Sequence, residues 1–72
     1  SVGQTERALA VLRQAHARNP RDRNVLAELV SLSRERGALG EALEYAKKLA
    51  VLSPGDLGAQ RLIQQLEREQ AR

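Results

Sequence analysis

The chain has no cysteine, methionine, tryptophan or phenylalanine, and a single tyrosine, Tyr45. Without cysteine there is no disulfide and no thiolate metal site. Without large aromatics any core is aliphatic and thin. A chain of 72 residues buries only about 60% of the surface its unfolded form exposes, so a neighbour or partner is expected to add to the fold. No apolar run approaches the roughly 18 residues of a membrane span, and no signal peptide is visible. The chain opens on Ser1 rather than methionine, which reads as an excerpt or a processed product. His16 is the only histidine, with no companion at metal-ligand spacing. Ser31 and Ser33 lack a nearby base that would make either a nucleophile. The carboxylates form no obvious pair, and Gly37 and Gly40 flank a turn instead of building a phosphate loop. The expectation is therefore not an enzyme, with no catalytic residue, no metal and no cofactor.

What is present is charge, spread unevenly. The net charge is +3, from 12 basic and 9 acidic residues. The excess sits in residues 1–23, where Arg7, Arg13, Arg18, Arg21 and Arg23 face only Glu6 and Asp22. Nucleic-acid surfaces usually combine a basic stripe with aromatic stacking platforms; here the stripe is short and the aromatics are missing, so that reading ranks last. Arginine outnumbers lysine ten to two, a bias that fits a GC-rich, bacterial coding sequence.

The chain also repeats itself. At an offset of 34, eight positions match: Gly3 with Gly37, Ala8 with Ala42, Leu9 with Leu43, Pro20 with Pro54, Asp22 with Asp56, Leu32 with Leu66, Arg34 with Arg68 and Glu35 with Glu69. Chance at this composition gives about two or three. The matches include a turn glycine, a proline and a candidate capping aspartate, which punctuate helices. A first helix is expected from about Thr5 to Arg18, closed ahead of Pro20. Asp22 caps a second, which runs to Arg36, where Gly37 supplies a left-handed turn. A third opens at Gly40 or the residue before it, with Glu41 and Glu44 near its positive end, and stops before Ser53. Asp56 caps a fourth. No segment alternates with period two, so the expected fold is all-α: four helices in antiparallel helix-turn-helix repeats.

A 34-residue unit of paired helices resembles the tetratricopeptide repeat. One complete unit spans residues 23–56, reading Leu26-x2-Leu29-Val30-x2-Ser33, then Ala42-x3-Ala46, then Pro54. Leu29, Ala42 and Pro54 fit the family pattern; Leu26, Val30, Ser33 and Ala46 stand where the family has Trp, Gly, Tyr and Phe. Residues 1–20 correspond to the second half of a preceding unit, and 57–72 to a C-terminal capping helix. A related helical repeat or a four-helix bundle shares much of this pattern.

The helix faces sort accordingly. On the second helix Val25, Leu26, Leu29, Val30 and Leu32 form a broad apolar side, wide enough for neighbours on two flanks. On the third, Glu44 and Lys48 stand four apart, spaced to pair. On the fourth, Gln60, Gln64 and Glu67 replace Leu26, Val30 and Ser33 in the repeat register, a polar flank of the kind that ends an array. On the first, Leu9, Val11 and Leu12 have no partner helix ahead of them, which marks a truncation or a self-association surface.

The resemblance implies a protein-interaction module. In the family the first helix of each unit lines a groove that holds a peptide or helix of a partner protein. The corresponding residues are Asn24, Ala27, Ser31, Arg34 and Glu35, with Arg61, Gln65 and Arg68. Arg34 and Arg68 recur in register and would favour an acidic or carboxylate-bearing partner, since arginine binds carboxylates in bidentate fashion. The competing expectations are homo-oligomerisation through Leu9, Val11 and Leu12, and, last, nucleic-acid contact through Arg13, Arg18, Arg21 and Arg23.

Overall fold

A computed structural model describes residues 2–72. The chain is all-α, with α1 (Val2–Arg18), α2 (Arg23–Glu35), α3 (Leu39–Leu52) and α4 (Leu57–Gln70). No strand occurs among the described residues.

The repeat is visible first in the turns. Asn19-Pro20-Arg21-Asp22 closes with the Asp22 N–H donating to the Asn19 carbonyl at 3.1 Å, and Ser53-Pro54-Gly55-Asp56 closes the same way at 2.9 Å. Proline takes the second place of each turn, where its fixed φ is already correct. Each turn delivers an aspartate to a helix N-cap. Asp22 accepts from the Asn24 and Val25 N–H groups, and Asp56 from those of Gly58 and Ala59. The two caps have nearly the same backbone angles, φ −77°, ψ 105° and φ −83°, ψ 106°.

Between α2 and α3 the chain reverses through Gly37, at φ 79°. The Gly37 N–H donates to the Arg34 carbonyl and the Ala38 N–H to the Ser33 carbonyl, the paired bonds of a Schellman ending. α3 then starts without a side-chain cap on Ala38, with Glu41 in its first turn.

α1 begins at Val2, ahead of the expected Thr5. No proline stands among residues 2–4, and extending a nucleated helix adds a hydrogen bond per residue, so Thr5 lies inside the helix. Glu44 and Lys48 make no ion pair; α3 is tied to its neighbours through Glu41 instead, which meets Arg13 at 3.3 Å and Arg36 at 3.4 Å. Cross-helix partners compete successfully with a local pair worth only a few tenths of a kcal/mol.

Packing follows the chain. α2 lies against α1 and α3, and α3 against α4, giving a slab whose Cα extents are 32 × 31 × 13 Å. Val30 of α2, Ala42, Leu43 and Ala46 of α3 and Leu66 of α4 form one buried cluster, flanked by Leu39, Tyr45, Leu49, Leu62 and Ile63. The alanines let α3 approach both neighbours closely. Leu26 and Leu29 are fully buried as well, and a buried leucine contributes about 1.5–3 kcal/mol relative to an exposed one.

Leu9, expected to face open space, is fully buried. α2 is the only helix whose backbone comes close to α1, while side chains of α3 also reach it. Leu12 is half-buried, and Val11 alone of the three is exposed, at 65%. The apolar surface on α1 is thus smaller than the sequence pattern suggests.

Candidate functional site

The expected groove residues lie on α2 and α4, and the structure divides them. Asn24, Ala27 and Ser31 on α2, and Arg61, Gln65 and Arg68 on α4, are exposed. Their helices are set by the two Pro-Asp turns, and Val30 of α2, Leu43 of α3 and Leu62 and Leu66 of α4 belong to one apolar cluster.

Arg34 departs from the expectation of a free arginine ladder. Its Nε donates to Glu69 Oε1 at 3.1 Å, and its Nη2 donates to Glu69 Oε2. This fork joins α2 to α4 and leaves Arg34 half-buried, its side chain 37% exposed beside a Glu69 side chain 24% exposed. Arginine matches a carboxylate in this bidentate way because its N–H groups form a planar fork. The guanidinium charge is spent inside the chain, so Arg61 and Arg68 are the cations left on this face.

Glu35 is exposed as well, and it lines a cleft of about 480 Å³ with Val2, Thr5, Glu6 and Arg36. Arg36 bridges Glu6 of α1 and Glu41 of α3, each at 3.4 Å. Helix periodicity carries no signal for Glu6 meeting Arg36, since one lies on α1 and the other caps the end of α2.

On the opposite edge α1 and α3 meet through side chains. The His16 and Tyr45 rings stand edge to face, 6.1 Å apart at 88°. Tyr45 thus packs between helices. The pKa of Arg13 is raised from the ordinary arginine value by hydrogen bonding toward Tyr45, against desolvation by burial and with help from Glu41 and Glu6. His16 Nδ1 is buried without a hydrogen-bond partner among the described residues. Below it His16, Pro20, Arg21, Lys48, Val51 and Leu52 line an apolar cleft of about 270 Å³.

Among the described residues no group of three or more histidine, aspartate or glutamate side chains is placed to hold a metal ion. No helix among them is long and apolar enough to cross a membrane. Compared with known proteins, the chain matches no protein-family model, no curated protein and no solved structure.

Proposed function

We propose that this chain is a tetratricopeptide-like repeat module that binds a segment of a partner protein along the face shared by α2 and α4. The observation carrying this reading is the exposed row Asn24, Ala27, Ser31, Arg61, Gln65 and Arg68, on two helices that share one buried apolar cluster. Its polar side chains make no hydrogen bond or ion pair among the described residues. The partner's chemistry follows from the charge that remains. With Arg34 paired to Glu69, Arg61 and Arg68 leave a positive face on α4, suited to an acidic or carboxylate-bearing segment.

The test is affinity capture with the tagged chain beside an Ala27→Glu/Arg61→Glu variant, at low and moderate salt, with bound proteins identified by mass spectrometry. Neither side chain forms a hydrogen bond or ion pair among the described residues, so circular dichroism should show both forms equally folded. The expected result is a protein bound by the wild type, lost by the variant and weakened by salt. Equal capture by both forms removes the α2–α4 face from consideration.

A further inference from the structure

At the edge where α1 and α3 meet, the two helices run in the same direction: Arg13 pairs with Glu41 and, one turn on, His16 packs on Tyr45. Both helices end at the same place, and the cleft lined by His16, Pro20, Arg21, Lys48, Val51 and Leu52 opens there. Its walls are set before anything binds. His16 stands edge to face with Tyr45, and Pro20 sits in a turn closed from the Asp22 N–H to the Asn19 carbonyl at 3.1 Å. Val51, 78% exposed, and half-buried Leu52 supply aliphatic surface. Scattered exposed aliphatic residues are ordinary on a protein, but these share one preformed hollow of about 270 Å³. That is smaller than a typical small-molecule site and suits a single apolar side chain.

The rim of this hollow is positive. Its lining is almost wholly apolar, so Arg21 and Lys48 give it their hydrocarbon stems and keep their charges at the mouth. Both are exposed, and neither makes an ion pair or side-chain hydrogen bond among the described residues. Arg18, exposed in the last turn of α1, adds a third cation. The neighbouring carboxylates do not offset them. Asp22 accepts from the Asn24 and Val25 N–H groups of α2, and Glu44, one turn before Lys48, makes no ion pair among the described residues. The C-terminal ends of α1 and α3 each bring about half a negative charge, which leaves the three cations in excess.

We infer that this cleft docks an acidic segment of a partner protein, which seats one aliphatic side chain among Pro20, Val51 and Leu52 and sets its flanking carboxylates beside Arg21 and Lys48. The apolar anchor supplies the hold, and the charged rim supplies orientation and selects against basic segments. Single-stranded nucleic acid fits less well, because it stacks its bases on aromatic platforms and the only ring lining the cleft, His16, is itself packed on Tyr45. The site shares no residue with the α2–α4 face and stands or falls apart from it.

Backbone amide chemical shifts of the isotope-labelled chain test this, during titration at low salt with three end-capped tripeptides, Glu-Leu-Glu, Glu-Gly-Glu and Lys-Leu-Lys, and with a single-stranded thymidine oligonucleotide. Glu-Leu-Glu should shift the amides of residues 16–21 and 48–52 along a saturable curve. Glu-Gly-Glu, which lacks the anchor, should bind about tenfold more weakly, and Lys-Leu-Lys should not saturate. Arg21→Glu/Lys48→Glu should exchange the preference to Lys-Leu-Lys, and Val51→Asp should weaken Glu-Leu-Glu by about fivefold or more. All three side chains are exposed, so circular dichroism should show these variants folded. Ala27→Glu/Arg61→Glu should leave the titration unchanged, which separates this site from the α2–α4 face. An absence of shifts at these residues overturns the inference. So do equal shifts from Glu-Gly-Glu, the mark of charge alone, and shifts of the same amides when the chain is concentrated without peptide, the mark of a second copy. Tighter binding of the oligonucleotide than of Glu-Leu-Glu at these amides overturns it as well.

Discussion

Ser33 is expected to be a stabilising site for alanine. Its side chain is completely buried, and its Oγ has no hydrogen-bond partner among the described residues. A buried hydroxyl left unpaired costs about 1–3 kcal/mol of lost hydration. Alanine removes that cost and adds a few tenths of a kcal/mol in helix propensity. Against this stands the gap left by one oxygen atom, about 0.3 kcal/mol at the usual rate per unit of cavity volume. Ser33→Ala should therefore raise stability by about 1–2 kcal/mol, and each kcal/mol raises Tm by about 4–8 °C in a domain of this size. Thermal and urea unfolding followed by circular dichroism give the value, provided the urea slope is unchanged. Ser31, two residues earlier and exposed, is the control, and Ser31→Ala should stay within about 0.5 kcal/mol of wild type. If Ser33→Ala lowers stability, the hydroxyl is paired and the argument fails; a gain no larger than that of Ser31→Ala also refutes it, because propensity alone would then explain both.

Two other perturbations test the joints of the fold. Gly37 sits at φ 79° with nothing within 4 Å of an added Cβ, so Gly37→Ala isolates the backbone cost and should lose about 1–2 kcal/mol in a urea titration. A double-mutant cycle on Arg34→Gln and Glu69→Gln should give a coupling of about 0.5–1 kcal/mol, modest because both side chains are partly exposed; a coupling of zero would mean that the fork does not hold α4 to α2.

The parts of the fold legible in the sequence were those set by local chemistry. Pro20 and Pro54, Asp22 and Asp56, and Gly37 each act on the residues beside them, so their turns and caps could be placed from spacing alone. The start of α1 was less legible, because no proline among residues 2–4 marks where the helix begins. Leu9 was misjudged for a different reason. Reading α1 as half of a helix pair implies that its apolar residues need a partner ahead of it, whereas Leu9 is already fully buried within these four helices. The candidate face shows the same division. Exposure of Asn24, Ala27, Ser31, Arg61, Gln65 and Arg68 follows from helix periodicity. The pairing of Arg34 with Glu69, 35 positions apart, depends on how α2 and α4 converge at one end, and no periodicity encodes that. The recurrence of Arg-Glu at 34–35 and 68–69 was the available signal; it reads as a repeated surface until one member is seen bonded to the next.

Every close approach between helix backbones joins helices that are neighbours along the chain. Each docking step therefore closes only a short loop and forfeits little chain entropy, which places the protein among low-contact-order sequences that fold in microseconds to milliseconds. The same ordering ranks the helices in resistance to opening. α2 and α3 each have two neighbours, while α1 and α4 have one, so amide hydrogen exchange should be slowest in the middle pair and quicken toward both ends.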